Sequence, residues 1–332
     1  MQVDCLADRA TALRGALEGA AQLAGVGTGW GAAAAPVETL SRARVVLARS
    51  LHELSPGVLS HLRGVPAVLL LSPWDGDSEE ALGAELGVRA VVRVAPPTAE
   101  ERADTVLALL LALMRRTHAL SRAVVRGAWL PPSGAYRGAR RCAGAHLALV
   151  GLDASTAGVA RRAAAFGLRI AYVHPVTQDG AEPDVGADAQ ALTHAVEAEG
   201  AVRAPSLLQL LAGADAVSVH CCELAPGVPA IGEAQLARLP HGACLVHTAP
   251  PNAVDTGALK RALCSGALGG AAVDAPDGDS WLEAWARDAP NLIITPRASR
   301  NSEEAYAEAA DAAAAAVLDA LRLGPASPTA AA

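Results

Sequence analysis

The sequence predicts an α/β fold of two domains, the larger one built on a doubly wound parallel sheet. The chain has 332 residues, enough for two domains at roughly 150 residues each. Short apolar runs alternate with amphipathic stretches along most of its length. After Gly144 this alternation becomes a repeated strand–helix pattern, which is typical of a parallel sheet covered by helices on both faces.

In the N-terminal part, apolar runs at 44–48 and 67–71 predict strands buried on both faces. An amphipathic stretch at 79–86 predicts a helix that Gly87 ends. A longer pattern predicts one helix from Pro97 through Arg126, with Thr98 as N-cap and Glu101 completing a capping box. A loop is expected at 131–134.

In the C-terminal part, strands are predicted at 147–150, 169–173, 216–219, 244–247, 270–273 and 291–294. Helices are predicted between them, at 156–166, 206–212, 233–239 and 256–263. The segment 176–204 is expected to be a loop with one helix, and 325–332 a disordered tail.

Composition excludes several classes of protein. The net charge of −7 argues against bulk electrostatic binding to nucleic acid. The apolar runs are too short to span a bilayer, and no signal peptide is visible. Six cysteines without CxxC spacing are typical of free thiols in a reducing compartment, so neither disulfides nor a metal site are expected. We expect an intracellular soluble protein of the cytoplasm, the nucleus or both.

The first strand–helix turn of the doubly wound sheet is where a ligand should bind. A dinucleotide fingerprint needs glycine at the first, third and sixth positions of this turn. Gly151 is in place, but Asp153 stands at the second glycine and Thr156 at the third. A carboxylate about 4 Å from a pyrophosphate costs on the order of 1 kcal/mol in water and about 4 kcal/mol at a protein surface. After the next strand, His174 stands where an acidic residue would hold the ribose. The turn is either a dinucleotide site or one that keeps the fold without the ligand.

Several strings, in order along residues 40–323, resemble the D-isomer-specific 2-hydroxyacid dehydrogenases. They are EERADTVLALLLALMRRTHALSR (100–122), RRCAGAHLALVG (140–151), SLLQLLAGADAVSVHC (206–221), HGACLVHTA (241–249), DSWLEAW (279–285) and NLIITPRASRNSEEA (291–305). Within that family the chain resembles the C-terminal-binding-protein branch. The elements RRTHALSR, DSWLEAW and TPRAS point to the plant type of this branch.

The resemblance implies a discontinuous arrangement of domains. A Rossmann-type NAD-binding domain at 99–297 would be inserted into a smaller, flavodoxin-like α/β substrate-type domain formed by 1–98 and 298–332. Members of the family are usually homodimers joined through their nucleotide-binding domains, with the helix at 105–126 in the interface. A core helix within one subunit would explain the apolar face of that helix equally well.

The resemblance also identifies the positions of the family's catalytic groups. An arginine orients the substrate carboxylate, a histidine is the general acid and base, and a glutamate holds the histidine. Here Pro250, Arg297 and Asp279 stand at those three positions, in that order. Proline has no side-chain donor and a guanidinium does not give up its proton, so no catalytic residue is intact. One alternative is that Arg297 binds the carboxylate while His247 or His220 supplies the proton.

The other binding positions depart from the family in part. The loop at 72–76 would offer backbone N–H groups to the substrate, but Pro73 has none and Asp75 adds a repelling charge. The candidate NAD(H) contacts are Gly151, Asp153, Thr156, His174, Cys221, Thr248 and Asp274. Asp274 stands where members contact the nicotinamide amide, although a buried aspartate held by local N–H groups would look the same.

These observations lead to two hypotheses of function. The first is a dehydrogenase-like protein without turnover, acting as a dimeric corepressor-like or scaffolding protein that binds peptide motifs of other proteins. Such a protein would bind NAD(H) weakly or not at all and would not contact nucleic acid directly. The second is a working NAD-dependent oxidoreductase acting on the CH–OH group of a 2-hydroxy acid. Between them lies weak NAD(H) binding in a structural or sensing role.

Overall fold

In the computed structural model the chain divides into two compact units. One comprises Met1–Pro97 and Asn301–Ala332, and the other comprises Thr98–Arg300. The structure describes residues 45–48, 51, 54, 56–63, 65–70, 77–88, 90–93, 98–129, 137–174, 187–220, 228–274, 285–286, 289 and 291–322. The predicted loop at 131–134 and tail at 325–332 lie outside these residues, as do Pro73 and Asp75.

The first unit contains a parallel sheet of three described strands in the order β1-β2-β3. These are β1 (Val45–Ala48), β2 (Ala67–Leu70) and β3 (Ala90–Arg93), with helices α1 (Pro56–Ser60) and α2 (Asp77–Glu85) between them. The predicted strands at 44–48 and 67–71 and the helix at 79–86 are confirmed to within two residues. The strand β3, which pairs in parallel with β2, was not predicted.

The second unit contains seven parallel strands in the order β10-β9-β8-β7-β4-β5-β6. They are β4 (His146–Val150), β5 (Arg169–Val173), β6 (Val202–Arg203), β7 (Ala216–Val219), β8 (Ala243–His247), β9 (Leu268–Val273) and β10 (Leu292–Ile294). The order reverses between β4 and β7, which is the switch point of a doubly wound sheet. The predicted Rossmann-type arrangement is therefore confirmed.

Both faces of this sheet are buried, as β4 illustrates. Leu147 and Leu149 join the apolar core on one face, and Ala148 and Val150 join the core on the other. Because successive residues of a strand point to opposite faces, burial on both sides explains the near-continuous apolar runs of the sequence. The helices of this unit are α3 (Ala99–Arg115), α4 (Thr117–Val125), α5 (Thr156–Ala165), α6 (Ala187–Ala198), α7 (Leu207–Ala212), α8 (Glu233–Leu236) and α9 (Thr256–Cys264).

The single helix predicted from Pro97 through Arg126 is wrong, because α3 and α4 are separate helices. The break is at Arg116, whose left-handed backbone (φ 55°, ψ 24°) ends α3. The predicted capping box is also wrong: Thr98 (φ −115°, ψ 27°) makes no side-chain capping bond, since its backbone is not in the extended conformation usual for an N-cap.

The C-terminal segment of the first unit forms the twenty-residue helix α10 (Glu303–Arg322). Along the described stretches of the chain, no helix combines the length and apolar character that crossing a bilayer requires.

Candidate functional site

The strand register of the second unit brings the predicted site residues to one edge of the sheet. Val150 is paired with Val173 and Val219, and His247 is paired with Val219 and Val273. The residues that follow these strand ends are Gly151, His174, His220, Thr248 and Asp274. They therefore share the carboxyl edge, where ligands bind in sheets of this kind. Cys221 and Asp279 lie outside the described residues.

The turn between β4 and α5 begins at Gly151. This glycine is left-handed (φ 81°), and its N–H donates to Val173 O at 2.9 Å. The buried Thr156 closes the turn, because its N–H and its hydroxyl both donate to Asp153 O, at 3.1 and 2.6 Å. Farther along α5, a Cβ on Gly158 would lie 3.0 Å from the Ala103 Cβ of α3. The small residue at Gly158 thus lets α5 pack closely on α3.

The Asp153 carboxylate points back onto the start of α5. Its Oδ1 accepts hydrogen bonds from Ser155 N (2.8 Å) and Ser155 Oγ (2.6 Å). Its Oδ2 lies 2.9 Å from Arg102 Nη2 of α3, in the geometry of an ion pair rather than an aligned hydrogen bond. The two side chains are only 20% and 12% exposed. Sequence reasoning found no partner for the Asp153 charge, whereas the structure pairs it with Arg102, which offsets part of that charge.

His220 extends the contacts of Asp153 from the turn to Ser218 of β7. Its side chain is fully buried, with Nδ1 3.6 Å from Asp153 Oδ1 and 3.5 Å from Ser155 Oγ. On the other side of the ring, Nε2 lies 2.8 Å from the buried Ser218 Oγ. Both ring nitrogens therefore face partners inside a chain of contacts, here called the Asp153 network, that runs from Arg102 through Asp153, Ser155 and His220 to Ser218.

The network keeps Asp153 ionised at neutral pH. Burial raises the pKa of this carboxyl, but the neighbouring His220, the Arg102 guanidinium and the Ser155 hydrogen bond outweigh burial and hold the pKa well below its usual range. A fixed negative charge therefore lies at the start of α5, where the helix dipole also favours an anion.

His174 has local partners. Its Nε2 lies 2.8 Å from Thr193 Oγ1 of α6, and its ring packs edge-on against Tyr172, with centroids 5.9 Å apart. The Tyr172 hydroxyl donates to Glu197 Oε1 at 2.6 Å. Burial together with Glu197 raises the pKa of Tyr172 to about 12. These contacts tie α6 to the end of β5.

Asp274 binds the segment that follows β10. It is 2% exposed, and its carboxylate accepts hydrogen bonds from Thr295 Oγ1, from Ala298 N (2.8 Å) and from Ser299 N (2.9 Å). Both carboxylate oxygens are thus engaged by groups of the same chain. This is the arrangement of a buried aspartate held by local donors.

The two described positions that the resemblance assigns to catalytic groups follow β8 and β10 at the same edge, with β9 between these strands. Pro250 precedes a short 3₁₀ helix at Pro251–Ala253 after β8. Arg297 follows β10 with an exposed side chain and a left-handed backbone (φ 56°). His247, considered above as a proton donor, is buried at the end of β8.

The turn after β4 does not fit a dinucleotide. The Ser155 N–H and hydroxyl, which a phosphate would need, already donate to Asp153, and the carboxylate itself would repel a pyrophosphate. One feature of the same edge suits a polar ligand: the buried Thr248 Oγ1 has no hydrogen-bond partner within the described part of the chain. Over that same part, no group of three His, Cys, Asp or Glu side chains is placed to hold a metal ion.

Comparison with known proteins gives matches over most of the chain. Residues 107–299 match the family model of the D-isomer specific 2-hydroxyacid dehydrogenase NAD binding domain. The C-terminal binding protein AN of Arabidopsis thaliana is 35% identical over 271 residues, covering 81% of this chain and 41% of the plant protein. The glyoxylate reductase of Korarchaeum cryptofilum is 31% identical over 222 residues, covering 64% of this chain and 60% of that enzyme. The chain thus spans less than two thirds of either relative.

Solved structures show the same fold. The apo structure of Escherichia coli D-lactate dehydrogenase matches with a TM-score of 0.71 at 20% identity, covering 96% of this chain and 95% of that one. The pyruvate reductase of Chlamydomonas reinhardtii matches with a TM-score of 0.68 at 23% identity, covering 87% of each chain.

Proposed function

The chain belongs to the D-isomer-specific 2-hydroxyacid dehydrogenase family, and we propose that it is a member of this family that has lost turnover. In this proposal it is a dimeric scaffolding or corepressor-like protein of the C-terminal-binding-protein type, in the cytoplasm or the nucleus, and it binds NAD(H) weakly or not at all. The observation that carries the proposal is the Asp153 carboxylate, which takes the Ser155 donors at the dinucleotide turn.

The chemistry of hydride transfer supports the same conclusion. Reducing a 2-keto acid requires a proton donor at the carbonyl oxygen and a cation at the carboxylate. Pro250 offers no side-chain donor, and a guanidinium, the group that Arg297 carries, does not serve as a general acid or base. Loss of positioned acid–base catalysis alone lowers a rate by about 10²- to 10⁴-fold. Asp274, which stands where members contact the nicotinamide, already accepts three hydrogen bonds from its own chain.

The proposed dimer rests on the surface of α4. In α3 seven residues are buried, whereas α4 has no buried residue, although apolar side chains line one face of it. Val125 at its end is 84% exposed, and Trp129, four residues later, is 80% exposed. An unburied helix with an apolar face and large apolar side chains beside it is suited to contact with another protein, and we assign this surface to a second copy of the chain.

Turnover is the experiment that tests the loss of catalysis. The purified chain is mixed with NADH and a panel of 2-keto acids, and absorbance at 340 nm is followed. We expect no oxidation of NADH above the protein-free rate. A kcat of about 1 s⁻¹ or more, within the ordinary enzyme range, that disappears in Arg297→Ala would refute the proposal.

Two observations favour other functions. The buried Thr248 hydroxyl, without a partner in the described residues, favours weak NAD(H) binding in a structural or sensing role. The 31% identity to an archaeal protein named glyoxylate reductase favours an NAD-dependent oxidoreductase acting on the CH–OH group of a 2-hydroxy acid. The turnover assay separates the second of these from the proposed function.

A further inference from the structure

We infer that the Asp153 carboxylate is the resident anion of the turn after β4, filling an oxyanion cradle that is thereby closed to phosphate-bearing ligands. The cradle is formed by Ser155 N, Ser155 Oγ and Arg102 Nη2, which lie 2.8, 2.6 and 2.9 Å from the carboxylate oxygens. The inference deepens the proposed function, because it gives a physical reason for weak or absent cofactor binding.

The donors of the cradle are those that proteins use for phosphate. A backbone N–H at a helix start, a hydroxyl and a guanidinium each bind phosphate oxygens well. Here the N–H and the hydroxyl donate to a carboxylate of the same chain, and the guanidinium forms an ion pair with it. A phosphate oxygen would have to take the same N–H, hydroxyl and guanidinium positions, so the two anions exclude each other.

The charge of Asp153 adds to this competition. A phosphate placed on the cradle would lie within about 4 Å of the carboxylate. At the effective dielectric of a protein surface, repulsion between unit charges at that distance weakens binding on the order of 10²- to 10³-fold. The ion pair with Arg102 offsets part of this repulsion, so the full figure applies to an unpaired carboxylate, and the loss of the two Ser155 donors adds to what remains.

Arg102 shows that the cradle needs an anion. Its side chain is 12% exposed, and its buried Nε has no hydrogen-bond partner within the described residues. A buried cation that loses its counter-ion is strongly destabilising. Removing the Asp153 carboxylate should therefore lower the stability of the chain and make the cradle recruit an anion from solution.

The test uses inorganic pyrophosphate as the probe and thermal unfolding of the full chain as the readout, with sodium chloride matching the ionic strength. Wild type should show no rise of Tm with pyrophosphate. Asp153→Gly should have a lower Tm than wild type, and pyrophosphate should restore it. The apparent affinity of this variant for pyrophosphate should be at least about 10²-fold higher than that of wild type. Adding Arg102→Leu to Asp153→Gly should abolish the response. If the glycine variant does not fold, Asp153→Ala, which also removes the acceptor of the Ser155 donors, is titrated with pyrophosphate by calorimetry instead.

Asp215 supplies a matched control. It also pairs with an arginine, Arg140 (2.6 Å), and also accepts a backbone N–H, that of His146 (3.0 Å), but it lies at the opposite end of β4. Because Arg140 is 31% exposed, against 12% for Arg102, Asp215→Gly should have a lower Tm but a much smaller response to pyrophosphate than Asp153→Gly.

Two results would overturn the inference: wild type stabilised by pyrophosphate as much as Asp153→Gly, or an Asp153→Gly variant that responds no more than Asp215→Gly. The failure of the proposed function can be told apart from the failure of this inference. If wild type reduces 2-keto acids while Asp153→Gly gains pyrophosphate binding, the proposed function is wrong and the inference about the cradle is correct. If wild type has no turnover and Asp153→Gly gains no pyrophosphate binding, only the inference about the cradle is wrong.

Discussion

Replacing Asp274 by alanine should detach the segment after β10 from the sheet. The change removes the acceptor of two backbone N–H groups, those of Ala298 and Ser299, and of the Thr295 hydroxyl. A buried donor left without its acceptor costs about 1–3 kcal/mol. Ser299 is buried and bears the full penalty, whereas Thr295 and Ala298 are half-buried and regain water. We therefore expect Asp274→Ala to lower the free energy of unfolding by about 2–4 kcal/mol.

Urea unfolding measures this loss, and hydrogen exchange locates it. Exchange at the Ala298 and Ser299 amides should become faster in Asp274→Ala, because their acceptor is gone. The matched control is Asp255→Ala, whose carboxylate caps α9 through a single bond from Ala258 N (2.9 Å). That loss of a helix cap should cost about 1 kcal/mol.

A small effect would refute the reasoning. If Asp274→Ala costs no more than Asp255→Ala and exchange at 298 and 299 is unchanged, the carboxylate does not hold the segment. Asp274 would then be free for a role with a ligand, as the family resemblance implies.

Three further predictions concern pH, thiols and assembly. The folded pKa of Tyr172, about 12, lies above the ordinary value near 10. Its contribution to stability is therefore complete below pH 10 and is lost as pH rises from 10 to 12, so the stability difference between wild type and Tyr172→Phe should shrink over that window. Burial raises the pKa of Cys244 to about 11, whereas Cys264 is exposed. In the native protein a thiol reagent should modify Cys264 at least about 10²-fold faster than Cys244, as mass spectrometry of the labelled peptides can show. Light scattering should give twice the mass of one chain for wild type and one chain for Trp129→Asp, and a dimeric Trp129→Asp would contradict the assigned interface.

Six of the seven described strands of the second unit could be predicted from the sequence, because they form apolar runs. The exception is β6, whose two residues are exposed and lie in the segment predicted to be a loop with one helix. Runs such as 169–173 have no long polar interruption, and the glycines and prolines between runs mark their ends. The break at Arg116 could not be predicted in this way. An arginine in the left-handed conformation leaves the apolar periodicity on both sides intact, whereas a glycine there would have signalled the end of a helix.

The candidate site was predictable in position but not in its contacts. The sequence shows which residues follow each predicted strand, and the carboxyl ends of parallel strands lie at one edge of the sheet. The location of the candidate site at this edge therefore follows from the strand–helix pattern. The pairing of Asp153 with Arg102 joins residues 51 positions apart along the sequence. Arg102 lies in α3 and Asp153 in the turn after β4, and no local sequence motif connects the two segments. Ser155 gave the only local signal, since an aspartate followed two residues later by serine is typical of a turn capped by its own side chain.

The most direct test of whether the nucleotide turn has lost its ligand is a calorimetric titration of the purified wild-type chain with NADH. The Asp153 carboxylate, held by Ser155 and Arg102, predicts no saturable binding below millimolar concentrations of NADH. A micromolar Kd would contradict this and would show that the turn accepts a pyrophosphate despite the carboxylate.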